Sequence, residues 1–305
     1  MKEVKKMREF NLKSEKICDF LVDEQRKRIW KIELDMLEKI IQICNKYNLR
    51  YTLSGGSMLG VVRHHGFIPW DDDIDIDMLR EDYERFLVIA EKELEKPYFV
   101  QYYKTEKGYY YGHAQIRNSN TTAIIKNDSY NKTFNHGIFI DIFPLDNVPD
   151  DIQEKNKIIR KIEKAKNKIN KKIYDKSNNI IKNIIKQIRQ KVIYKKVDIQ
   201  NEIKFIDEEA QKYNNKKTEE VCALTFNPRD FCKERKWLEE LVDKKFEYLD
   251  VKISKYYNEW LTRQYGDYMK IPDNKNGSTH GKVFFDTENS YIKYDKQIEK
   301  ITKNL

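Results

Sequence analysis

The spacing of apolar and polar positions changes several times along the chain, and each change marks a predicted element. Across residues 13–47 apolar side chains recur at helical spacing, which predicts one or two amphipathic helices. Residues 51–53 then form a short apolar strand, and residues 81–95 return to helical spacing. Residues 98–103 alternate as a strand does, and residues 109–125 are most simply explained by a hairpin.

The second half of the chain begins with an apolar strand and then changes character. Residues 137–143, which read GIFIDIF, predict a buried strand. Two lysine-rich stretches follow, at 158–173 and 181–192, and each keeps an apolar stripe at helical spacing. We therefore predict two amphipathic helices, arranged as a hairpin that is inserted into the core.

These patterns divide the chain into four segments that together predict an α+β fold. Residues 1–50 form N-terminal helices packed on the core, and residues 51–150 form the core itself, a mixed β-sheet flanked by helices. Residues 151–217 are a basic amphipathic helical insertion. Residues 218–305 are a C-terminal helical region that completes the core.

Composition excludes several classes of protein. With 305 residues, 39% of them hydrophobic, and a mean hydropathy of −0.84, the chain can bury a large core. No apolar run approaches the roughly 20 residues that span a bilayer, and the first residues lack the apolar segment of a signal peptide. The four cysteines have no paired C-x-x-C spacing, so structural thiols are favoured over a zinc site. We expect a cytoplasmic protein.

The net charge of +9 is concentrated in one segment. Residues 155–196 carry sixteen basic side chains and two acidic ones, so the rest of the chain is net acidic. Because a nucleic-acid binder should carry positive charge in its working cleft, no nucleic-acid partner is expected. The basic segment either docks peripherally on the anionic inner face of a membrane or on a polyanionic glycan, or is a solvated face over an ordinary packed stripe.

The largest cluster of candidate functional side chains is the run of carboxylates before residue 78. In a strand, residues two apart share a face, so Asp71, Asp73, Asp75 and Asp77 would point one way and the intervening isoleucines the other. Neighbouring carboxylates repel and raise one another's proton affinity unless a cation neutralises them. Oxygen ligands without a nearby cysteine suit Mg²⁺ or Mn²⁺ better than zinc.

A glycine-rich turn precedes these carboxylates. Gly55 and Gly56 allow positive φ and close backbone approach, and Ser57 can cap a helix whose free N–H groups favour phosphate. In a nucleotidyltransferase-type site, backbone N–H groups that bind phosphate come first in the sequence, and carboxylates that bind the metal follow them. The alternatives are an ordinary turn with a solvated acidic loop, or an EF-hand calcium loop, in which Ile76 and Asp82 replace the required glycine and glutamate.

A single carboxylate, Asp141, interrupts the apolar strand at 137–143. A charge in so apolar a run is costly unless it is paired or binds a metal. We therefore predict that Asp141 is a third metal ligand. The alternative is a carboxylate at a strand end that accepts hydrogen bonds from the backbone.

Several separated blocks of sequence resemble one known family. In chain order they read SGGSMLGVVRHHGFIPWDDDIDIDM, QIRNSNTTAI, HGIFIDIFPLDNVP and WLTRQYGDYMKIP. Together they resemble the LicD family of phosphotransferases, which is related to the fukutins and has the nucleotidyltransferase fold. The resemblance covers most of the chain outside residues 151–217. It implies that the core at 51–150 is a nucleotidyltransferase-like catalytic unit.

The resemblance implies an enzyme that moves phosphocholine from CDP-choline to a hydroxyl of a cell-surface glycan, such as a teichoic acid, lipopolysaccharide or capsule precursor. Asp73, Asp75 and Asp141 would be catalytic and would hold Mg²⁺ or Mn²⁺, with Asp141 orienting or deprotonating the attacking hydroxyl. Asp71 and Asp77 would support these ligands without touching the metal.

Five further residues are implied to bind the donor. Gly55, Gly56 and Ser57 would contact it, and Arg63 and Arg117 would neutralise its phosphate oxygens through their guanidinium groups. For Arg117 the alternative is an ordinary surface arginine.

The resemblance leaves the transferred alcohol open. Choline would need aromatic faces around its ammonium group, and the chain offers Trp70, Tyr109, Tyr110, Tyr111, Tyr265 and Tyr268. Ribitol or glycerol phosphate from its own CDP donor is an alternative within the same chemistry. Outside it, the alternatives are a non-catalytic protein that binds glycan or membrane, and a nucleotidyltransferase that modifies RNA or a small molecule.

Overall fold

The computed structural model describes residues 10–126, 133–173, 194–229, 232–273, 275 and 282–305. The second predicted helix of the insertion, at 181–192, lies outside the described residues. Within the described part, no helix combines the length and the apolar character that crossing a bilayer requires.

Strands and helices are interspersed along the described chain. The strands are β1 Glu15–Ile17, β2 Phe20–Val22, β3 Thr52–Leu53, β4 Asp75–Leu79, β5 Tyr98–Gln101, β6 Ala114–Asn118, β7 Thr122–Ile125, β8 Ile138–Asn147, β9 Glu220–Cys222, β10 Cys232–Glu234, β11 Leu241–Phe246, β12 Leu249–Ser254 and β13 Val283–Asp286. The helices are α1 Glu24–Lys46, α2 Gly55–Arg63, α3 Arg80–Glu93, α4 Ile152–Ile173, α5 Ile199–Ala210, α6 Lys236–Glu239, α7 Tyr257–Tyr265 and α8 Ile298–Asn304. This content confirms the predicted α+β class.

One mixed sheet organises the fold around the long strand β8. Strand β8 pairs in parallel with β4, whose other edge carries β3, and antiparallel with β6, which carries β5. The last residues of β8 pair with β9, and β9 pairs with β10. All ten residues of β8 are buried, because strands flank both edges and α1 and α3 pack against it.

Helix α1 covers the sheet, as the apolar stripe predicts, but it begins later than predicted. Asp23 accepts a hydrogen bond from the backbone N–H of Arg26 at 2.8 Å, so the helix begins after this cap. The preceding residues form the β1–β2 hairpin. Cys18 and Asp19 both have positive φ, which is the geometry of a tight hairpin turn. The helical prediction for 13–47 is therefore wrong at its start.

The predicted hairpin at 109–125 is wrong in its pairing. Strands β6 and β7 do form there, but β7 pairs with β13 from the end of the chain. One edge of β6 is occupied by β5 and the other by β8, so β7 has no free edge of β6 to join. Strand β13 thereby brings the C-terminal segment against the core.

Helices α4 and α5 pack together and build a second apolar cluster beside the main core. Helix α4 keeps its predicted stripe, whose buried members include Ile158, Ile162, Ala165 and Ile169. Its lysines form ion pairs with later carboxylates, namely Lys155 with Glu220, Lys161 with Glu209 and Lys168 with Glu202. The basic face of this helix is therefore partly neutralised within the protein.

The region at 218–305 is predicted to be helical, but it supplies several strands. Strands β9 and β10 extend the main sheet, and β11 and β12 form a hairpin that packs beside β3. Short helices α6 and α7 alternate with these strands. The period-two pattern of such short strands is too brief to distinguish them from loops in sequence.

A carboxylate near the end of the chain fixes the turn after β13. Asp286 accepts hydrogen bonds from the backbone N–H groups of Glu288 at 2.9 Å and Asn289 at 3.0 Å, and from the Tyr294 hydroxyl at 2.5 Å. Burial alone would raise the pKa of Asp286, but these hydrogen bonds outweigh it and lower the pKa to about 2.

Candidate functional site

A cavity of about 340 Å³ lies against β4 and β8. Its wall combines carboxylates, the first glycines of α2, a lysine and several aromatic rings. The carboxylates are Asp73, Asp75, Asp77 and Asp141. The fold therefore brings the three predicted catalytic residues, Asp73, Asp75 and Asp141, to one space from two separate segments of the chain.

Strand pairing accounts for this convergence. Asp75 and Asp141 are directly paired in the parallel β4–β8 ladder, and paired residues project from the same face of a sheet. The backbone N–H of Asp141 donates to the Ile74 carbonyl at 3.0 Å, which fixes the register. Asp73 lies just before β4 and lines the same cavity.

The acidic strand is shorter than predicted. Regular strand structure begins at Asp75, and residues 71–74 are irregular. The Asp71 carbonyl accepts hydrogen bonds from Arg26 Nη1 at 2.7 Å and Trp30 Nε1 at 3.0 Å, both on α1. At Asp71 the backbone is held by helix side chains rather than by a neighbouring strand, and the hydrogen bond to β8 begins at Ile74, so residues 71–73 stay outside the ladder.

The irregular part gathers carboxylates closely enough to share a cation. Asp71, Asp72 and Asp73 each offer one oxygen within 4.8 Å of the others. Burial raises the pKa of Asp71 well above its ordinary value, and the charges of Asp73 and Asp72 add to this effect. An all-oxygen donor set of this kind fits Mg²⁺ or Mn²⁺. Binding of the metal by Asp73, Asp75 and Asp141 stays a prediction.

Two side chains that sequence reasoning missed hold the Oδ1 atom of Asp141. Gln115 Nε2 donates to it at 2.7 Å, and His113 Nε2 lies 3.0 Å from it. His113, Gln115 and Arg117 alternate with apolar residues at β6, so they share a face of the sheet. This alternation in HAQIR is the sequence signal that could identify them.

Arg117 is buried beneath the site and does not line the cavity. Its guanidinium donates to Gln101 Oε1 and Gln115 Oε1, both at 2.5 Å, and to the Gly137 carbonyl at 2.7 Å. This placement contradicts the predicted contact with donor phosphates, because the guanidinium is engaged within the protein. Arginine can only donate, so it turns the oxygen of Gln115 toward itself and the amide nitrogen toward Asp141.

Gly55 and Gly56 let the N-terminus of α2 approach the carboxylates. A Cβ atom on Gly55 would lie 2.8 Å from Asp75 Oδ2, and one on Gly56 would lie 2.5 Å from Asp71 Oδ2. Gly55 also has φ of +51°, which favours glycine. Both glycines line the cavity. Their contact with the donor stays a prediction, while their close approach to Asp71 and Asp75 is evident.

Ser54, rather than Ser57, is the residue that precedes helix α2. The Ser54 hydroxyl donates to Asp77 Oδ1 at 2.8 Å. Ser57 lies in the first turn, where its hydroxyl accepts a hydrogen bond from the backbone N–H of Asp75 at 2.9 Å. The predicted cap at Ser57 is therefore wrong. Ser57 fixes the start of β4 and does not line the cavity.

Asp77 forms an ion pair with a lysine, and no sequence pattern around that lysine indicates that it belongs to the site. Lys233 on β10 forms a buried ion pair with Asp77, and its Nζ atom lies 4.2 Å from the centre of the Trp260 ring. Both Asp77 and Lys233 line the cavity. The pair therefore places a positive charge close to the acidic wall.

Arg63 does not line the cavity. Its Nη1 atom donates to the carbonyls of Tyr268 at 2.7 Å and Lys270 at 3.3 Å, and the guanidinium lies 5.9 Å from the centre of the Trp70 ring. Arg63 thus ties α2 to the segment YGDYMK. This geometry contradicts the predicted role of Arg63 at the donor phosphates.

The structure separates the six aromatic candidates into two groups. Tyr111 and Tyr265 line the cavity, and the others do not, namely Trp70, Tyr109, Tyr110 and Tyr268. Burial raises the pKa of Tyr265, and the charges of Asp75, Asp71 and Asp73 raise it further. Phe143 and Phe226 also line the cavity, and the sequence pattern did not single them out.

In the candidate site, converging carboxylates lie beside the N-terminus of α2 on the mixed sheet of an α+β fold. Residues 48–215 match the sequence profile described as the LicD/FKTN/FKRP nucleotidyltransferase domain. Because the match covers more than half of the chain, the protein belongs to the LicD family and is a phosphotransferase.

Individual relatives agree with this assignment. The chain is 28% identical over 254 residues to the lipopolysaccharide cholinephosphotransferase LicD of Haemophilus influenzae, a match that covers 81% of this chain and 92% of that protein. It is 42% identical over 43 residues to the human ribitol 5-phosphate transferase FKRP, covering 14% of this chain and 9% of that protein. An uncharacterized Rickettsia typhi protein is 36% identical over 63 residues, covering 21% and 20% of the two chains.

Proposed function

We propose that this protein transfers phosphocholine from CDP-choline to a hydroxyl of a cell-surface glycan. The observation that carries the proposal is the convergence of Asp73, Asp75 and Asp141 in one cavity. Support for choline comes from the lipopolysaccharide cholinephosphotransferase, to which the chain is similar over 92% of that protein's length. The glycan acceptor would be a teichoic acid, lipopolysaccharide or capsule precursor.

In the proposed reaction, the oxygen of the acceptor hydroxyl forms a bond to the phosphorus that carries choline. The bond from that phosphorus to the oxygen shared with CMP breaks, and CMP leaves with the electron pair. Asp141 accepts the hydroxyl proton, while Gln115 and His113 hold its Oδ1 atom in place. Mg²⁺ or Mn²⁺, when bound by Asp73, Asp75 and Asp141, would neutralise charge on the phosphates.

The test is a transfer assay with purified protein. CDP-choline, CDP-ribitol and CDP-glycerol are each labelled in the alcohol and incubated with Mg²⁺ and candidate glycans, and CMP release is followed in parallel. We expect label on the glycan with CDP-choline. Product formed only from CDP-ribitol or CDP-glycerol would assign the enzyme to another phospho-alcohol, as in the FKRP relatives.

A matched pair of variants separates catalysis from binding alone. Asp75→Asn removes a charge from the cavity wall, and we expect transfer to be abolished with the unfolding midpoint nearly unchanged. Asp243→Asn is the control, because Asp243 is exposed on β11. Unchanged glycan decoration in cells that carry Asp75→Asn would favour a non-catalytic binding protein on the same fold.

The proposed location is the cytoplasm, with peripheral contact between residues 155–196 and the anionic inner face of a membrane. The ion pairs of α4 reduce its available charge, so we expect weak binding that salt removes. Sedimentation with acidic-lipid vesicles tests this contact. Lys195→Glu with Lys196→Glu should reduce binding, while the exposed pair Lys244 and Lys245, changed in the same way, should not.

A further inference from the structure

Part of the cavity lining consists of aromatic rings in mutual contact, which we call the aromatic wall: Tyr111, His113, Phe143 and Phe226. The ring centres of His113 and Phe143 are 4.5 Å apart, and those of Phe143 and Phe226 are 4.8 Å apart. Tyr111 continues the group, with its ring centre 5.7 Å from that of His113. The wall is therefore continuous rather than a set of isolated rings.

The aromatic wall begins directly beside the proposed reaction centre. His113 Nε2 lies 3.0 Å from Asp141 Oδ1. Phe143 follows Asp141 by two residues on β8, so the two side chains share a face of the sheet. A ligand group that contacts the aromatic wall would therefore lie next to Asp141 and to the phosphoryl group that is transferred in the proposed reaction.

The chemistry of the wall favours a particular kind of ligand group. Aromatic faces attract cations, and they suit a quaternary ammonium well because it has no hydrogen to donate and presents methyl groups. The carboxylates of Asp73 and Asp75 line the same cavity and add negative charge, whereas Asp77 is neutralised by Lys233. A polyol such as ribitol or glycerol would instead need several hydrogen-bonding partners, which phenylalanine rings do not offer.

We propose that Tyr111, Phe143 and Phe226 form the subsite that receives the trimethylammonium group of the donor. The inference rests on the proposed function, and it assigns the alcohol end of CDP-choline to this wall. In choline an ethylene spacer joins the ammonium to the phosphate ester, so the ammonium must lie near the transferred phosphoryl. The cytosine base lies farther from that phosphorus, beyond the ribose and the other phosphate.

The helical insertion holds the outermost ring of the wall in place. Phe226 lies on the loop after β9 and is 38% exposed. Lys166 on α4 donates to the carbonyls of Thr225, at 2.9 Å, and Phe226. Arg229 on the same loop forms a two-pronged ion pair with Glu163 of α4, at 2.5 and 2.8 Å. The insertion thus contributes to the cavity as well as carrying basic charge.

Calorimetric titration of the full chain with CDP-choline, CDP-glycerol and CMP, each with Mg²⁺ present, tests the subsite. Phe226→Leu keeps an apolar side chain but removes the ring, and we expect the Kd for CDP-choline to rise about fivefold to tenfold. The Kd values for CDP-glycerol and CMP should stay within about twofold. Phe226→Tyr, which keeps a ring, should retain the affinity for CDP-choline.

Phe205→Leu is the matched control, because Phe205 is 40% exposed on α5 and does not line the cavity. Equal weakening of CMP would overturn the inference and assign the wall to the cytosine base. Equal affinity of the unaltered protein for CDP-choline and CDP-glycerol would also overturn it. These titrations contain no acceptor, so they measure donor binding independently of transfer. An absence of product in the transfer assay would refute the proposed function, and the Kd values would still test the subsite.

Discussion

Replacement of Arg117 by methionine distinguishes two roles for this residue. The resemblance to the family implies that Arg117 binds donor phosphate, whereas the structure buries it in a network of hydrogen bonds. Its three acceptors are Gln101 Oε1, Gln115 Oε1 and the carbonyl of Gly137. Methionine is similar in length but donates no hydrogen bond, so all three acceptors lose this donor.

The size of the effect follows from these contacts. Leaving a buried acceptor without its donor costs about 1–3 kcal/mol. Three such acceptors would cost about 3–9 kcal/mol, and part of this cost is offset because a buried charge no longer needs to be desolvated. We therefore expect Arg117→Met to lower the free energy of unfolding by about 3–5 kcal/mol, a large share of the stability of an ordinary domain.

Urea unfolding and CDP-choline titration, measured on the same preparations, decide between the two roles. Arg28→Met is the control, since Arg28 is exposed on α1 and its change should alter stability by less than about 0.5 kcal/mol. Arg117→Lys keeps the charge without the planar fork, and we expect an intermediate loss of stability. Stability within about 1 kcal/mol of the unaltered protein, together with a tenfold weaker donor affinity, would refute the structural role.

Three further predictions concern other contacts of the fold. Lys233→Met leaves Asp77 buried without its lysine, so urea unfolding should show a loss of about 3–5 kcal/mol, which a second change, Asp77→Asn, should partly restore. Gly56→Ala places a Cβ atom against Asp71, and we expect reduced Mg²⁺ affinity by calorimetry, with unchanged affinity counting against the packing argument. The stabilisation from Asp286 is fully present above pH 3.8 and is lost as the pH falls toward 2, because its pKa is lower in the folded protein. Acid unfolding of Asp286→Asn should therefore begin from lower stability and depend less on pH across this range.

The sequence by itself determined the features that depend on local spacing. The stripes of α1, α3 and α4 and the buried strand β8 follow from periodicity, since one face of each element must be covered. Asp141 could be identified because a buried charge within an apolar strand costs free energy unless it is paired or binds a metal. The carboxylates at 71–77 could be identified because their number and spacing are unusual for a strand.

Only the tertiary structure decided which of these residues meet. Asp75 and Asp141 converge because β4 and β8 pair in parallel, and no local pattern specifies that register. Arg117 belongs to a buried network of hydrogen bonds because β6 lies between β5 and β8. The sequence around Arg117 does not reveal which strands flank it. Periodicity reports that a face is covered and leaves open which element covers it.

The cavity's remaining wall depends on loops and short strands from the end of the chain. Lys233 and Phe226 lie in segments too short to carry a periodic signal, and they reach the site through β10 and the loop held by α4. Their roles arise from contacts between residues far apart in sequence, and the energy of such contacts depends on packing in three dimensions. The sequence thus predicts the chemistry of the acidic wall, and the fold determines the adjacent aromatic wall and the position of the Lys233 charge.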